Sequence, residues 1–207
     1  MLLFDESQFH KAITILRDGG LVIAPTETFY GILADAWSKK AVGRLVELKE
    51  RDIGKPIPLI AGDTIVVSNT AATLPSIFKS LADEFWPGPL TLVLNAAEGL
   101  PKGITAGTGS IGIRVPAQSP ALDLAKFYRG ALTATSANFS GDPPPRNIKE
   151  LDQKLVQAVD LVIDGGWTRG TKPSTVLNLT SETPELIRSG ILGKEVIDFL
   201  ARTNIWG

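Results

Sequence analysis

The chain contains no cysteine, and that absence excludes disulfides, thiolate nucleophiles and cysteine-ligated metals. It has one histidine, His10, which cannot build a histidine-rich metal site by itself. His10 falls beside Phe9 on a predicted first helix, remote in sequence from every polar cluster. A surface or partly packed histidine is the reading, and a Ser/His/Asp hydrolase is excluded. No stretch approaches the roughly 18 unbroken apolar residues that a membrane helix needs. The N-terminus, Met1-Leu2-Leu3-Phe4-Asp5-Glu6, carries acids where a secretory signal carries bases. A cytoplasmic location without a membrane partner is the expectation. Excess charge of one sign is also lacking: 21 Lys+Arg face 22 Asp+Glu, a net charge of −1. No overall positive field drives general nucleic-acid binding, although a local basic cleft remains compatible with neutrality.

What is present suits a globular domain. With 207 residues, 43% hydrophobic and 21% charged, the chain fits one large α/β domain or at most two small ones. Asp5 or Ser7 can cap a helix to about Arg17 with Phe9, Ala12, Ile13 and Leu16 on one face. Asp18-Gly19-Gly20 stops it, and a short buried strand over 21–24 ends at Pro25. The segment Pro25-Thr26-Glu27-Thr28-Phe29-Tyr30-Gly31 reads as a polar loop. Helices are predicted over 39–49, over 64–85 with a break near Pro75, over 120–127, from Asn147 to about Ala158, and over 194–200. Strands are predicted over 58–60, 90–94, 111–115, 131–135, 161–163, 175–179 and 185–187. Strands interleaved with helices argue for layered α/β or α+β architecture.

Polar groups recur at the ends of these strands, where open α/β sheets bind ligands. Thr26 and Thr28 can orient a small polar ligand, or cap an ordinary turn. Lys49, Arg51 and Lys55 suit a polyanion, since arginine offers a planar fork and lysine a point charge. Taken alone they suit a solvated helix end somewhat better, with Glu50 and Asp52 partly offsetting their field. Gly107-Thr108-Gly109-Ser110 can turn backbone N–H groups toward an anion, but the Gly-x-x-x-x-Gly-Lys-Ser/Thr pattern of P-loops is absent. Arg114 stands in an otherwise apolar strand, where a charge needs either an ion-pair partner or a wet cavity. Thr135-Ser136-Ala137-Asn138, Lys172-Pro173-Ser174-Thr175 and Arg188-Ser189-Gly190 follow further strands, each also consistent with a capped turn.

In order along the chain, these segments resemble the YrdC-like family of threonylcarbamoyl-AMP synthases. The resemblance rests on Pro25-Thr26-Glu27-Thr28-Phe29-Tyr30-Gly31, Lys49-Glu50-Arg51, Pro87-Gly88-Pro89-Leu90-Thr91, Gly112-Ile113-Arg114-Val115-Pro116, Thr135-Ser136-Ala137-Asn138-Phe139-Ser140-Gly141, Pro173-Ser174-Thr175-Val176 and Ile187-Arg188-Ser189-Gly190. It implies one domain over 1–207, the short form, with a twisted, mostly parallel or mixed sheet flanked by helices around a concave basic cavity. It also implies conversion of L-threonine, bicarbonate and ATP to threonylcarbamoyl-adenylate and pyrophosphate, with Mg²⁺. A separate transferase would then use the adenylate to modify tRNA.

By the same resemblance, Lys49 and Arg51 are the catalytic cations. Arg51, Lys55, Ser110, Ser136, Asn138, Pro144 and Arg188 bind ATP. Thr28, Arg114, Ala134 and Ser174 bind threonine, and no protein metal site is expected. Ile60 stands where relatives often carry a polar residue near the threonine pocket, which bears on selectivity. The alternatives are a non-catalytic RNA-binding module and a carbamoyl-transfer enzyme with another acceptor. Retention of both Lys49/Arg51 and Ser136/Asn138 favours the enzyme over the module. The third reading would bring acylphosphatase or zinc-binding segments, which this sequence lacks.

Overall fold

The computed structural model describes residues 6–49 and 54–203. Helix α1 (Glu6–Arg17) buries Phe9, Ala12, Ile13 and Leu16, the i, i+3, i+4, i+7 stripe of an amphipathic helix. Gly19 follows at φ 78°, a left-handed conformation that glycine adopts without steric cost. Strands β1 (Val22–Pro25) and β2 (Tyr30–Leu33) then pair antiparallel, Pro25 opposite Tyr30. The segment expected to be loop through Gly31 is therefore a hairpin. Its second strand was obscured by Gly31 and by the hydroxyl-rich turn before it.

Helix α2 (Lys39–Leu48) is capped by Ser38, whose side chain accepts from the Ala41 N–H. After β3 (Leu59–Ile60), the predicted broken helix appears as α3 (Thr64–Thr70), capped by Asp63, and α4 (Phe78–Phe85). The Trp86–Pro87 peptide is cis. There follow β4 (Leu90–Asn95), a one-turn helix α5 (Lys102–Thr105) that sequence periodicity did not reveal, and β5 (Ser110–Arg114). Ser119 caps α6 (Pro120–Tyr128), with Pro120 at its first position, where the missing N–H costs nothing.

The predicted strand over 131–135 divides into β6 (Leu132–Thr133) and β7 (Thr135–Ser136). They lie in different sheets, with Ala134 at the switch. The single helix expected from Asn147 is likewise two pieces. Asn147 caps a 3₁₀ turn over Ile148–Glu150, and Asp152 caps α7 (Gln153–Ala158). Each polar cap satisfies an N–H that would otherwise lack a partner and so starts its own short helix. The chain continues through β8 (Leu161–Val162), β9 (Thr175–Asn178), β10 (Glu185–Arg188) and α8 (Gly193–Arg202).

Among the described residues there are two sheets, one of order β7-β2-β1-β8 and one of order β10-β9-β4-β5-β3-β6. The pairs β1/β8, β3/β5 and β4/β9 are parallel and the others antiparallel. Of the expected alternatives the mixed sheet holds, divided in two. One large apolar cluster joins the sheets to α2, α4 and α8. A second packs α1 and α6 against Val22, Ala24, Leu33, Ile60 and Leu132. Among the described residues no helix is long and apolar enough to cross a membrane.

Candidate active site

Strand alternation builds one wall of a cavity of about 700 Å³ between the two sheets, a volume typical of small-ligand sites. On β5, Ser110, Gly112 and Arg114 line the cavity, while Ile111 and Ile113 are fully buried in the core. On β4, Thr91 and Val93 face the cavity, and Leu90, Leu92 and Leu94 point away. This period of two places small and polar groups over an apolar floor. Gly112 keeps that floor low, since a Cβ there would lie 3.3 Å from the Thr91 methyl.

The hairpin β1–β2 supplies the facing wall. The Thr26 hydroxyl donates to the Phe29 carbonyl at 2.9 Å and accepts from the N–H groups of Thr28 and Phe29. The Thr26 and Thr28 hydroxyl oxygens are 3.0 Å apart. A hydroxyl has one proton, and that of Thr26 is committed to Phe29. Thr28 is then the donor between them, and its remaining lone pairs are acceptors at the cavity surface. Tyr30 is anchored behind this turn. Its hydroxyl donates to the Gly166 carbonyl at 2.7 Å and accepts from the Gly165 N–H at 3.2 Å. Burial, and to a smaller extent the charge of Asp164, raises its pKa above the ordinary tyrosine value, against the lowering effect of the Gly165 bond.

Cations enter from the six-stranded sheet. Arg114 is 6% exposed, and its Nε lies 3.4 Å from Glu27 Oε1. Arg188 donates from Nε to the Ser174 carbonyl at 3.0 Å and from Nη2 to the Ser174 hydroxyl at 3.1 Å. Burial, and secondarily the charge of Arg114, lowers the Arg188 guanidinium below its usual value. Ser174 also meets Thr91, oxygen to oxygen at 2.9 Å. Two hydroxyls share that contact, so one proton remains for a ligand.

The sequence-predicted residues separate into three groups. Thr28, Arg114, Ala134 and Ser174 line the cavity, and so do Ser110, Ser136, Pro144 and Arg188. Lys49, Asn138 and Lys55 are not on its surface. Lys49 is 6% exposed, and its ammonium donates to the carbonyls of Ser136, at 2.7 Å, and Asn138. The Ser136 hydroxyl donates to the Asn138 side-chain oxygen, and the Asn138 amide to the Asp142 carbonyl. Lys49, expected among the phosphate-binding cations, therefore braces the loop that presents Ser136. Lys55 is exposed beside Pro56, a residue of the cavity wall. Arg51 lies outside the described residues.

Ile60 is fully buried in the cluster with α1 and α6, away from the cavity. His10 is exposed on α1, edge-on to Phe9. Thr91 on the cavity wall and Glu27 behind it had no role assigned from sequence. The first could have been found as the lone polar residue in the apolar strand Leu90-Thr91-Leu92-Val93-Leu94. Glu27 could have been found as an acid among hydroxyls directly after a buried strand. Among the described residues no carboxylate lines the cavity, and no group of three or more acids or histidines suited to a metal ion occurs.

Comparison with known proteins agrees with this geometry. The family model Sua5_yciO_yrdC, described as Telomere recombination, matches residues 14–190. The threonylcarbamoyl-AMP synthase of Pyrococcus abyssi is 37% identical over 194 residues, covering 94% of this chain and 57% of that protein. The chain thus spans little more than half of that relative's length. The threonylcarbamoyl-AMP synthase of Alkalilimnicola ehrlichii is 36% identical over 169 residues, 80% of this chain and 88% of that one. Among solved structures, P. abyssi Sua5 complexed with L-threonine superposes with a TM-score of 0.90 at 36% identity, covering 98% of this chain and 58% of the other.

Proposed function

The chain belongs to the Sua5/YciO/YrdC family, and from that premise we propose that it makes threonylcarbamoyl-adenylate and pyrophosphate from L-threonine, bicarbonate and ATP. One observation carries the reading: among the described residues, two guanidiniums and eight hydroxyl-bearing side chains converge on one cavity. The carboxylate of threonine, bicarbonate and the ATP phosphates all bring negative charge, and they need this combination of fixed positive charge and oriented donors. In this assignment the terminal nitrogens of Arg114 take the amino-acid carboxylate. The acceptor lone pairs of Thr28 take a donor of the same substrate, its amino or hydroxyl group. Ser174 and the backbone at Ala134 close that side.

Arg188, Ser110, Ser136 and Pro144 form the nucleotide side, with Lys55 and Arg51 as candidates for the phosphates at the mouth. Bicarbonate parts into CO₂ and hydroxide, the threonine nitrogen bonds to the CO₂ carbon, and the proton it gives up joins the hydroxide as water. A carbamate oxygen then bonds to the α-phosphorus as the bond to pyrophosphate breaks. The protein supplies position and charge rather than a covalent nucleophile. Lys49 contributes by holding the Ser136–Asn138 loop through its two carbonyls. Among the described residues the cavity wall, with hydroxyls and cations but no carboxylate, does not fit a resident Mg²⁺. The ion would enter on the ATP phosphates, where it neutralises charge. The adenylate would pass to a separate transferase acting on tRNA.

The test is pyrophosphate release by purified protein with ATP, omitting each substrate in turn. We expect release that requires both L-threonine and bicarbonate. Release indifferent to threonine, or none from folded protein, refutes the assignment.

A further inference from the structure

Of the two described cations that line the cavity, Arg114 is the more confined and the less supported. It makes no hydrogen bond to any described residue, and its Nε is sealed from solvent. A guanidinium so placed is costly unless an anion answers it. The anion in contact is Glu27, whose Oε1 lies 3.4 Å from that Nε, and both Glu27 carboxylate oxygens are themselves buried without a hydrogen bond. Glu27 is not on the cavity wall, whereas Arg114 is. The carboxylate therefore stands behind the guanidinium. Pairing through Nε leaves the two terminal nitrogens of Arg114 without an acceptor among the described residues, on a residue that lines the cavity.

Two further features make this pair a fixture. The backbone of Glu27 is clamped, because the Gly170 N–H donates to its carbonyl at 3.1 Å. Gly170 sits so close that a Cβ there would lie 2.4 Å from the Thr28 Cα. Arg188 lines the same cavity, and its side chain pairs with no carboxylate among the described residues and donates to Ser174. Two like charges in one cavity repel. Without an anchor Arg114 has an electrostatic reason to turn away.

We propose that Glu27 is a positioning residue: its buried carboxylate holds Arg114 by Nε and so aims the terminal fork of the guanidinium at the carboxylate of the amino-acid substrate. This rests on the proposed function for the identity of the ligand. The geometric part, a carboxylate aiming an arginine, stands on the ion pair itself. The proposal also fixes the sign of an experiment. If Glu27 only offset charge, its removal would make the cavity more positive and tighten anion binding. If it aims Arg114, its removal weakens carboxylate binding despite the added positive charge.

The experiment is calorimetric titration of the full chain with L-threonine and with L-threoninamide, which lacks the carboxylate. Wild type, Glu27→Gln and Glu27→Asp are compared, with melting temperature as the fold control. For Glu27→Gln we expect L-threonine affinity to fall about 10- to 100-fold, the scale of a misplaced contact, and threoninamide affinity to stay level with wild type. Glu27→Asp, which keeps the charge one methylene short, falls between and serves alone should the glutamine variant not fold. Unchanged or tighter L-threonine binding in a folded variant overturns the proposal, as does an equal loss for threoninamide. Wild-type protein that binds no L-threonine sinks the proposed function instead. Glu27 is then judged by the Arg114 Nε–H resonance: protection lost in Glu27→Gln supports the anchor, and protection retained overturns it.

Discussion

Arg188 and Arg114 share one cavity with different support, and the difference sets what each tolerates. Arg188 is held by two hydrogen bonds to a single residue, Ser174, whereas Arg114 depends on one ion pair. Replacing Arg188 with alanine removes a fixed charge while leaving Ser174 bonded to Thr91. The expected result is a loss of about 2–4 kcal/mol of transition-state stabilisation, the scale for one preorganised donor. Steady-state kcat/KM for pyrophosphate release measures it, and a change below threefold would show that the charge does not face the reacting groups. Residue identities were legible here: the isolated Arg114 in an apolar strand announced a partner or a cavity. The partner, Glu27, was not, because nothing in a linear sequence says which of 22 acids comes to rest behind it.

At the scale of elements, the site depends on how closely the β10 turn packs on β9. Gly190 lies where an added Cβ would fall 2.3 Å from the Pro173 carbonyl oxygen and 2.4 Å from the Ser174 carbonyl carbon. These are backbone atoms that cannot swing aside. Gly190→Ala must push the 173–174 segment, and with it the Ser174 carbonyl that receives Arg188. We expect a stability loss of about 1–3 kcal/mol, as for overpacked interiors, seen as a lower midpoint in urea. L-Threonine affinity should fall in parallel. A variant as stable as wild type would show that the turn moves freely. Element types were readable where periodicity was strong, as in α1, β4 and β5. Pieces too short for periodicity, such as β2 and α5, escaped because neighbours across the fold stabilise them rather than local pattern.

Across the whole molecule, Asp160 ties the chain's two halves. Its carboxylate accepts from the Leu21 N–H at 2.7 Å and from Arg44 Nη1 at 2.9 Å, beside the parallel β1/β8 pair. Burial alone would raise its pKa. The hydrogen bonds from Arg44 and Leu21 and the charges of Arg44 and Lys40 together outweigh that, holding the carboxyl below the reference value of 3.8. A lowered carboxyl pKa adds stability above the unfolded value and loses it as pH falls through the folded one. Asp160→Asn should therefore melt below wild type at pH 7, the gap closing below about pH 4. Solvent screening keeps the difference small. A gap independent of pH would exclude the carboxylate charge as its cause.

The linear sequence by itself determined the absence of thiol chemistry, the amphipathic faces, the caps and the order of the polar segments. Each of these follows from residue type and local spacing. Tertiary structure alone decided that the strand over 131–135 would serve two sheets and that Lys49 would brace a loop rather than enter the cavity. It also decided that Ile60 would fill a core and that Glu27 would stand behind Arg114. Those outcomes depend on which distant surfaces meet, and long-range proximity is set by the packing of the whole chain rather than by the spacing of neighbours.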